Sequence, residues 1–366
     1  MDPSEALQYT PLYDDHVSRG ARMVPFGGWS MPVQYTGIIE EYWQCRKSTA
    51  LFDICHMGEI IVHGDHAIDV LEKIVTCSLA SLGVNRCRYG LMLNTLGGVV
   101  DDLIVFRLSD NKYLLVVNAA NTRKDLAHIQ QFLHGQASCQ DISAKIGKLD
   151  LQGPLAREVL EALCPEVSKL RYFQCDEFFL LDEPCWISRT GYTGELGYEI
   201  FYPWAKTKIL WQKILENDKV KPAGLGARDV LRIEMAYSLY GHEISDDITP
   251  LDAGLEAFLD FRKDFIGKPA LLEKSNRSVA QEIIYFVSDD RRSPRQGHKI
   301  FSLDQMVIGE VTSGTFSPAL EKGIGIGRVV APRKDVGEKI YFGTQANFWP
   351  GRSVQKPFYQ NGSLKQ

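Results

Sequence analysis

The sequence lacks an excess of positive charge, a long apolar run and paired-cysteine motifs. Its 41 Lys and Arg residues face 46 Asp and Glu residues, a formal net charge of −5. This balance argues against sequence-independent binding to nucleic acid, which needs a basic surface. The most apolar stretch, residues 114–120, is the length of a strand and far short of the roughly 18 residues that span a membrane. The N-terminal residues show no basic or apolar region of a secretory signal, so we expect no export.

The eight cysteines stand singly between residues 45 and 185, in about the first half of the chain. None belongs to a Cys-x-x-Cys pair or has the spacing of a zinc ribbon. In a chain of this length, such cysteines are typical of reduced, buried side chains in a cytosolic or matrix compartment. His63 and His66 lie three residues apart without a third ligand beside them, so we expect no metal site.

The length and composition predict a multi-domain α+β protein. With 366 residues, 45% hydrophobic and 24% charged, the chain is long enough for two or three domains. Up to residue 275 helical and strand-like segments alternate, and beyond it short strand-like runs are separated by Gly, Pro and Asp. We therefore predict an α+β region over residues 1–275, which pattern alone does not divide, and a small C-terminal β-barrel or sandwich over 276–366. Predicted helices cover 37–47, 67–75, 121–133, 154–163, 206–217 and 227–240; predicted strands cover 59–62, 89–94, 99–108, 112–118, 148–151, 186–189, 198–202, 281–287, 299–301, 306–312, 324–330 and 339–342.

Two adjacent carboxylates open an otherwise apolar strand. Asp101 and Asp102 follow a Gly-Gly pair and precede Leu-Ile-Val-Phe. Side chains alternate along a strand, so the two residues point to opposite faces and one of them faces an interior or a cleft. Apolar surroundings raise the pKa of a carboxyl group and suit it to acid–base work or to orienting an amine. The alternative is that both residues are polar groups closing a hairpin.

Three other segments are rich in glycine. Residues 189–199 (RTGYTGELGYE) place Glu199 inside a strand, where its carboxylate needs a partner and could accept paired hydrogen bonds from an amino-pyrimidine edge. The alternative is a turn with an edge-strand glutamate. Residues 224–234 put Arg228 at a helix start, and pattern alone favours a solvated face of ion pairs for Arg228, Arg232 and Glu234. Residues 323–327 (GIGIG) read as a strand of small residues, because no helix follows.

These segments, with several others, resemble aminomethyltransferase, the T-protein family of the glycine cleavage system. The resemblance covers nearly the whole chain. It is carried by residues 10–16 (TPLYDDH), 26–35 (FGGWSMPVQY), 51–60 (LFDICHMGEI), 97–102 (GGVVDD), 117–121 (VNAAN), 189–200 (RTGYTGELGYEI), 224–229 (GLGARD), 239–241 (LYG) and 311–318 (VTSGTFSP).

The resemblance implies a three-domain, cloverleaf-like fold around a central folate cavity, with the β-barrel as the third lobe. The family transfers the one-carbon unit of an aminomethyl group, carried on the dihydrolipoyl arm of H-protein, to tetrahydrofolate. Ammonia is released and 5,10-methylenetetrahydrofolate is formed. The resemblance thus implies tetrahydrofolate as the one-carbon acceptor and lipoylated H-protein as the partner, and it implies no metal, membrane or nucleic acid. The implied compartment is a bacterial cytoplasm or, for a processed chain, the mitochondrial matrix.

The resemblance also assigns site residues. Asp102 matches the family's key aspartate near the folate nitrogens, with Asp101 held in reserve. Glu199 matches the glutamate that holds the amino-pyrimidine edge of the pterin, and Arg228 an arginine near the folate. The remaining matches line the folate pocket: Met57, Tyr89, Asn118, Tyr172, Tyr192 and, near the chain end, Tyr359. Many family members have Asp or Ser where Leu196 and Cys55 stand here, positions to which no chemistry is assigned.

Three alternatives are related to this family. A folate-dependent demethylase is not separated from the transferase by motif alone. The folate domain of an amine-oxidising enzyme would follow a flavin-binding unit with a Gly-x-Gly-x-x-Gly turn, and no such unit occurs in the N-terminal part. A folate-binding iron–sulfur assembly factor would carry a Lys-Gly-Cys-Tyr-x-Gly-Gln-Glu motif, which is absent from this sequence.

Overall fold

The computed structural model describes residues 6–133, 135, 137–276, 281–331 and 336–365 and shows an α+β protein with a C-terminal barrel. Before the barrel the elements are β1 (Gln8–Tyr9), α1 (Tyr13–Ser18), β2 (Arg22–Phe26), β3 (Trp29–Gln34), α2 (Ile38–Lys47), β4 (Thr49–Asp53), β5 (Gly58–His63), α3 (Ala67–Ile74), β6 (Arg86–Leu93), β7 (Val99–Ser109), β8 (Lys112–Val117), α4 (Thr122–Gln130), β9 (Ser138–Asp141), β10 (Ile146–Gln152), α5 (Ala156–Glu161), β11 (Cys175–Leu180), β12 (Glu183–Ser188), β13 (Gly197–Pro203), α6 (Thr207–Leu215), β14 (Val220–Pro222), α7 (Leu225–Glu234) and α8 (Lys268–Ser275). The barrel strands are β15 (Gln281–Ser288), β16 (Lys299–Phe301), β17 (Val307–Ser317), β18 (Lys322–Val330), β19 (Lys339–Gly343) and β20 (Phe348–Val354).

Two large sheets face each other and form the centre of the α+β region. The first sheet has the strand order β6-β7-β8-β5-β9 and the second the order β11-β12-β13-β10-β4-β14. Helices α3 and α4 cover the outer face of the first sheet, and α5 and α6 that of the second. Between the inner faces lies a separate apolar cluster that includes Phe106 and Phe201, whose rings are 5.5 Å apart. We call the space between these inner faces the inter-sheet space.

The strand register decides which polar side chains reach the inter-sheet space. Phe106 lies on the same face of β7 as the side chain four residues before it, Asp102. Phe201 lies on the same face of β13 as Glu199, two residues away. Each sheet therefore brings one of the two predicted carboxylates to the inter-sheet space.

The C-terminal strands close into a barrel, so the choice between barrel and sandwich is settled in favour of the barrel. Its strand order is β15-β18-β17-β16-β19-β20. The sequence reading found five of these strands and missed β20. This strand contains Phe-Trp-Pro350-Gly351, which resembles a turn, yet both residues pair with β19 in the register of the barrel. The segment 323–327 lies within β18, as predicted.

Helix α7 corrects two predictions. It ends at Glu234 rather than near Tyr240, because Ala236 adopts a left-handed φ of 58° and the amide of Tyr237 bonds back to the carbonyl of Arg232. The predicted solvated face is also wrong, since Arg232 is 1% exposed and Glu234 fully buried. The reason is tertiary: α7 packs on β3 on one side and on the barrel strand β17 on the other, so no face of its last turn meets water.

Two classes of feature are absent from the described part of the chain. No helix there is both long and apolar enough to cross a membrane. The same residues contain no group of three or more His, Cys, Asp or Glu side chains arranged to hold a metal ion.

Candidate functional site

Asp102 lies on the inter-sheet face and is held by two neighbours. The hydroxyl of Tyr89 on β6 donates to Oδ2 at 3.0 Å, and the side-chain amide of Asn118, which follows β8, donates to Oδ1 at 2.7 Å. Burial, followed by the negative charge of Asp101, raises the pKa of Asp102 to about 7. At neutral pH this carboxyl group can therefore both accept and release a proton.

Asp101 points to the opposite face of β7 and is fully buried. It accepts hydrogen bonds from the backbone amide of Asn118 at 3.0 Å, from its side chain at 2.9 Å and from the side chain of Asn121 at 2.7 Å. Asp125 on α4 lies beside it, and burial and the charge of Asp101 raise the pKa of Asp125 to about 11. Asp101 therefore belongs to a buried polar cluster between the sheet and the start of α4, and it does not face the inter-sheet space.

Glu199 faces the same space from the second sheet. Strand β13 is an interior strand of that sheet, so the alternative of an edge-strand glutamate is wrong. Oε2 of Glu199 lies 2.9 Å from Nζ of Lys148 on β10, and the Glu199 side chain is 10% exposed. Among the described residues, no donor bonds to Oε1.

A second ion pair, between Arg228 and Asp150, lies beside Glu199. Nη1 of Arg228 bonds to Oδ2 of Asp150, the residue directly opposite Glu199 in the β10–β13 pairing. Burial raises the pKa of Asp150 to about 6, although the charge of Arg228 opposes that shift. The guanidinium group uses one nitrogen on Asp150 and stays partly exposed, so other donors remain for a ligand.

The glycine-rich turn before β13 wraps around the side chain of Gln152. A Cβ atom at Gly191 or Gly197 would lie 2.3 or 2.0 Å from that side chain, so only glycine permits this approach. Gln152 accepts a hydrogen bond from the hydroxyl of Thr193 at 2.6 Å and donates one to Oδ1 of Asp150 at 2.6 Å. The turn is thereby tied to the Asp150–Arg228 pair.

The start of α7 lies in close contact with strand β3. A Cβ atom at Gly224 would lie 2.4 Å from the carbonyl carbon of Val33 on β3, so the Gly-Leu-Gly sequence lets the helix approach that strand. The amide of Gly224 donates to Oε2 of Glu41 at 2.8 Å, and the amides of Tyr35, Thr36 and Gly37 donate to Oε1. These contacts determine where Arg228, one turn further on, enters the site.

The ring of Tyr192 lies between Arg228 and Tyr237. Its ring centroid is 5.1 Å from Cζ of Arg228, and its ring stacks on Tyr237 with the centroids 5.5 Å apart. Its hydroxyl donates to the carbonyl of Ser238. Burial raises the pKa of Tyr192, and the charges that act on it include those of Arg232, Asp102 and Arg228, so the ring lies near Arg228 and within electrostatic range of Asp102.

The three other predicted residues differ in position. Met57 packs into the apolar cluster of the inter-sheet space. Tyr172 is 37% exposed and contacts Phe173, while Tyr359 covers Arg46 with its ring centroid 3.9 Å from Cζ. Met57 therefore lies with Asp102 and Glu199, whereas Tyr172 and Tyr359 lie at the periphery.

A groove opens beside Tyr89. Its volume is about 520 Å³, and its walls include Arg88, Phe258 and Arg262. The ring of Phe258 meets that of Tyr89 edge to face, with centroids 4.6 Å apart. Tyr89 thus contacts Asp102 with its hydroxyl and this groove with its ring.

Sequence reasoning missed several buried polar residues near the predicted carboxylates. Lys148 and Asp150 lie two residues apart on one face of β10, and charged residues within a strand are the signal that could have found them. Glu59 on β5 is fully buried, and neither of its oxygens has a hydrogen-bond partner in the described structure. His56 is buried as well, and burial lowers its pKa to about 4, which leaves the imidazole neutral.

Comparison with known proteins identifies the family. Residues 12–263 match the GCVT N-terminal domain, and residues 282–360 match the glycine cleavage T-protein C-terminal barrel domain. The chain is 42% identical to the aminomethyltransferase of Desulforamulus reducens over 97% of this chain and 99% of the relative. It is 39% identical to the aminomethyltransferase of Pseudothermotoga lettingae over 98% and 99%.

A solved structure agrees with these matches. The glycine cleavage system aminomethyltransferase T from Bartonella henselae superimposes with a TM-score of 0.92 at 31% identity, over 98% of this chain and 99% of that one. Sequence and fold thus agree over both the α+β region and the barrel, and the chain belongs to the aminomethyltransferase family, the T-proteins of the glycine cleavage system.

Proposed function

We propose that this protein transfers the one-carbon unit of an aminomethyl group, carried on the dihydrolipoyl arm of H-protein, to tetrahydrofolate. Ammonia is released and 5,10-methylenetetrahydrofolate is the product. The observation that carries the proposal is that the two facing sheets each bring one carboxyl group, Asp102 and Glu199, to the inter-sheet space. Asp102 titrates near neutral pH, and Glu199 offers an unpartnered acceptor oxygen.

The residues around Glu199 fit the pterin end of a folate. An amino-pyrimidine ring presents neighbouring N–H donors, which a planar carboxylate accepts, and ring acceptors, which a guanidinium group can meet. Oε1 of Glu199 and the remaining donors of Arg228 supply both kinds of group side by side. Met57 and Tyr192 supply apolar and aromatic surface for a flat ring.

Tetrahydrofolate supplies the two nucleophilic nitrogens that receive the carbon, and Asp102 would act on the protons of the amines. Its position between Tyr89 and Asn118 fixes the orientation of the carboxylate. A pKa near 7 lets it accept a proton from one amine and return it to the departing ammonia. Its negative charge also stabilises positive charge that develops at the aminomethyl carbon.

The proposal also covers the cellular compartment of the enzyme and the route by which the substrate arm reaches the site. The eight cysteines are free and mostly buried, which suits a reducing compartment such as a bacterial cytoplasm or a mitochondrial matrix. The groove is lined by Tyr89, whose hydroxyl donates to Asp102, and we propose it as the route for a long, flexible substrate arm.

The test is a titration of tetrahydrofolate into the purified protein, followed by addition of aminomethylated H-protein and an assay for ammonia. We expect saturable folate binding, and ammonia release that requires both substrates. Folate binding without ammonia release would instead direct the search to methylated amines as donors, the chemistry of a demethylase. Absence of folate binding would refute the proposal.

A further inference from the structure

Lys148 is a buried cation placed directly behind Glu199. Its side chain is 1% exposed, and its Nζ lies 2.9 Å from Oε2 of Glu199. The same nitrogen lies 4.8 Å from the centroid of the Phe201 ring, the residue opposite Lys148 in the β10–β13 pairing. Strand register, ion pair and aromatic contact thus all fix the ammonium group on the inter-sheet face of the second sheet.

The ion pair uses only one oxygen of Glu199. Lys148 is too deeply buried to touch a ligand in the inter-sheet space, whereas Glu199 is partly exposed and its Oε1 has no donor among the described residues. With one oxygen held by Lys148, the position and plane of the carboxylate are fixed. The lysine therefore determines where the other oxygen lies for a ligand.

A second carboxyl group, Glu59, faces Lys148 from the first sheet but does not replace Glu199. Glu59 is fully buried and its oxygens have no hydrogen-bond partner in the described structure. Burial raises its pKa well above the ordinary value, and the charge of Lys148 only partly offsets this. Among the described residues Lys148 forms an ion pair with Glu199 and none with Glu59, so Glu199 is its counter-charge.

We infer that Lys148 is a positioning residue for the folate: it holds the carboxylate of Glu199 by one oxygen, with Oε1 directed toward the amino-pyrimidine edge of the pterin. The inference rests on the proposed function, because it takes tetrahydrofolate as the ligand. Removal of one member of a buried ion pair leaves the other charge uncompensated, whereas removal of both is often tolerated. Without Lys148, the carboxylate of Glu199 would lose its fixed orientation and turn away from the ligand, which removes an acceptor.

The experiment is a double-mutant cycle on tetrahydrofolate binding, measured by calorimetry. It uses Lys148→Met, Glu199→Gln and the double variant. We expect each single variant to raise Kd about tenfold or more, and the double variant to bind no more weakly than Glu199→Gln alone. Turnover at saturating folate should fall less than threefold in Lys148→Met, because the residue does not reach the reacting atoms.

Two controls isolate the role of Lys148. Glu59→Gln changes a carboxyl group that forms no ion pair with Lys148 in the described structure and should leave Kd within twofold. Lys206→Met breaks a lysine–glutamate pair, with Glu183, whose lysine is 51% exposed, and should not change Kd. A general loss of stability on removing any lysine would affect both lysine variants, whereas the inference expects an effect at Lys148 only.

An unchanged Kd in Lys148→Met, or a double variant whose loss equals the product of the single losses, would overturn the inference. If Lys148→Met does not fold, the double variant decides: a Kd equal to that of Glu199→Gln supports the inference, and a Kd tenfold higher overturns it. Wild-type protein that does not bind tetrahydrofolate would instead refute the proposed function, and this inference with it.

Discussion

The side-chain amide of Asn118 donates to Oδ1 of Asp102 at 2.7 Å, and through this contact the catalytic candidate on one face of β7 is linked to the structural aspartate on the other. The same amide nitrogen lies 2.9 Å from Oδ1 of Asp101. One asparagine therefore fixes the orientation of both carboxyl groups, although their side chains leave the strand in opposite directions.

Asp102→Asn should fold normally and lose about one to three orders of magnitude in turnover, the scale expected when an oriented charged group is removed. The measurement is ammonia release at saturating substrates. Asp101→Asn is the matched control, and we expect it to lower the midpoint of thermal unfolding because Asp101 accepts three hydrogen bonds in the core. Normal turnover in Asp102→Asn together with lost turnover in a folded Asp101→Asn would show that Asp101 is the catalytic group.

The pH profile of kcat/KM should rise through an acid limb near pH 7. Asp102 has a raised pKa of about 7, so it is protonated below that pH and becomes able to accept a proton above it. Tyr89→Phe removes a hydrogen bond that lowers this pKa, so the limb should move up by about 0.5–1 pH unit. A limb that stays near pH 7 in Asp102→Asn would belong to another group.

Asp125→Asn should stabilise the protein at alkaline pH. The pKa of Asp125 is raised to about 11 in the folded state, compared with about 4 in the unfolded state. The contribution of Asp125 to the free energy of unfolding is therefore complete below about pH 4. That contribution is lost as the pH rises from about 4 toward about 11, because only the unfolded state then releases the proton. An asparagine amide can still donate to Asp101 but carries no titrating proton. We expect a gain of about 1–3 kcal/mol in the free energy of unfolding at pH 8 and no gain at pH 4. An equal effect at both pH values would contradict the shared-proton arrangement.

Arg46→Met should lower the free energy of unfolding by about 3–5 kcal/mol, because it leaves two buried carboxylates without their cation. Nη1 of Arg46 lies 2.7 Å from Oε1 of Glu195, and Nη2 lies 2.6 Å from Oε2 of Glu234. The comparison variant is Arg262→Met, whose side chain is 89% exposed and whose loss should leave the melting temperature unchanged.

The Arg46 variant should also loosen the end of the chain. The ring of Tyr359 covers the guanidinium group, and Ser363 donates to Glu195. Residues 358–365 should therefore become sensitive to proteases in Arg46→Met and stay protected in Arg262→Met. Unchanged protection would mean that the C-terminal segment is held by its other contacts.

Local pattern was sufficient for most of the elements that carry the site. The alternation of apolar residues and the Gly-Gly turn predicted β6 and β7 as a hairpin, and the structure confirms it with Asn94 and Gly98 paired at the turn. The family resemblance, carried by motifs along the whole chain, is confirmed by the comparisons. The residue roles taken from that resemblance remain predictions.

The sequence by itself determined the helix and strand periods, the opposite directions of Asp101 and Asp102, and the glycines that close turns require, because these depend on backbone geometry over a few residues. Only the tertiary structure decided that Asp102 faces the inter-sheet space, that Arg232 and Glu234 are buried, and that Lys148 lies behind Glu199. Which face of a strand or helix is covered depends on the elements that pack against it, and those come from distant parts of the chain. Burial then raises the pKa of Asp102, and the pairing of β10 with β13 places Lys148 against Glu199, so the chemistry of the site arises from packing that no local pattern contains.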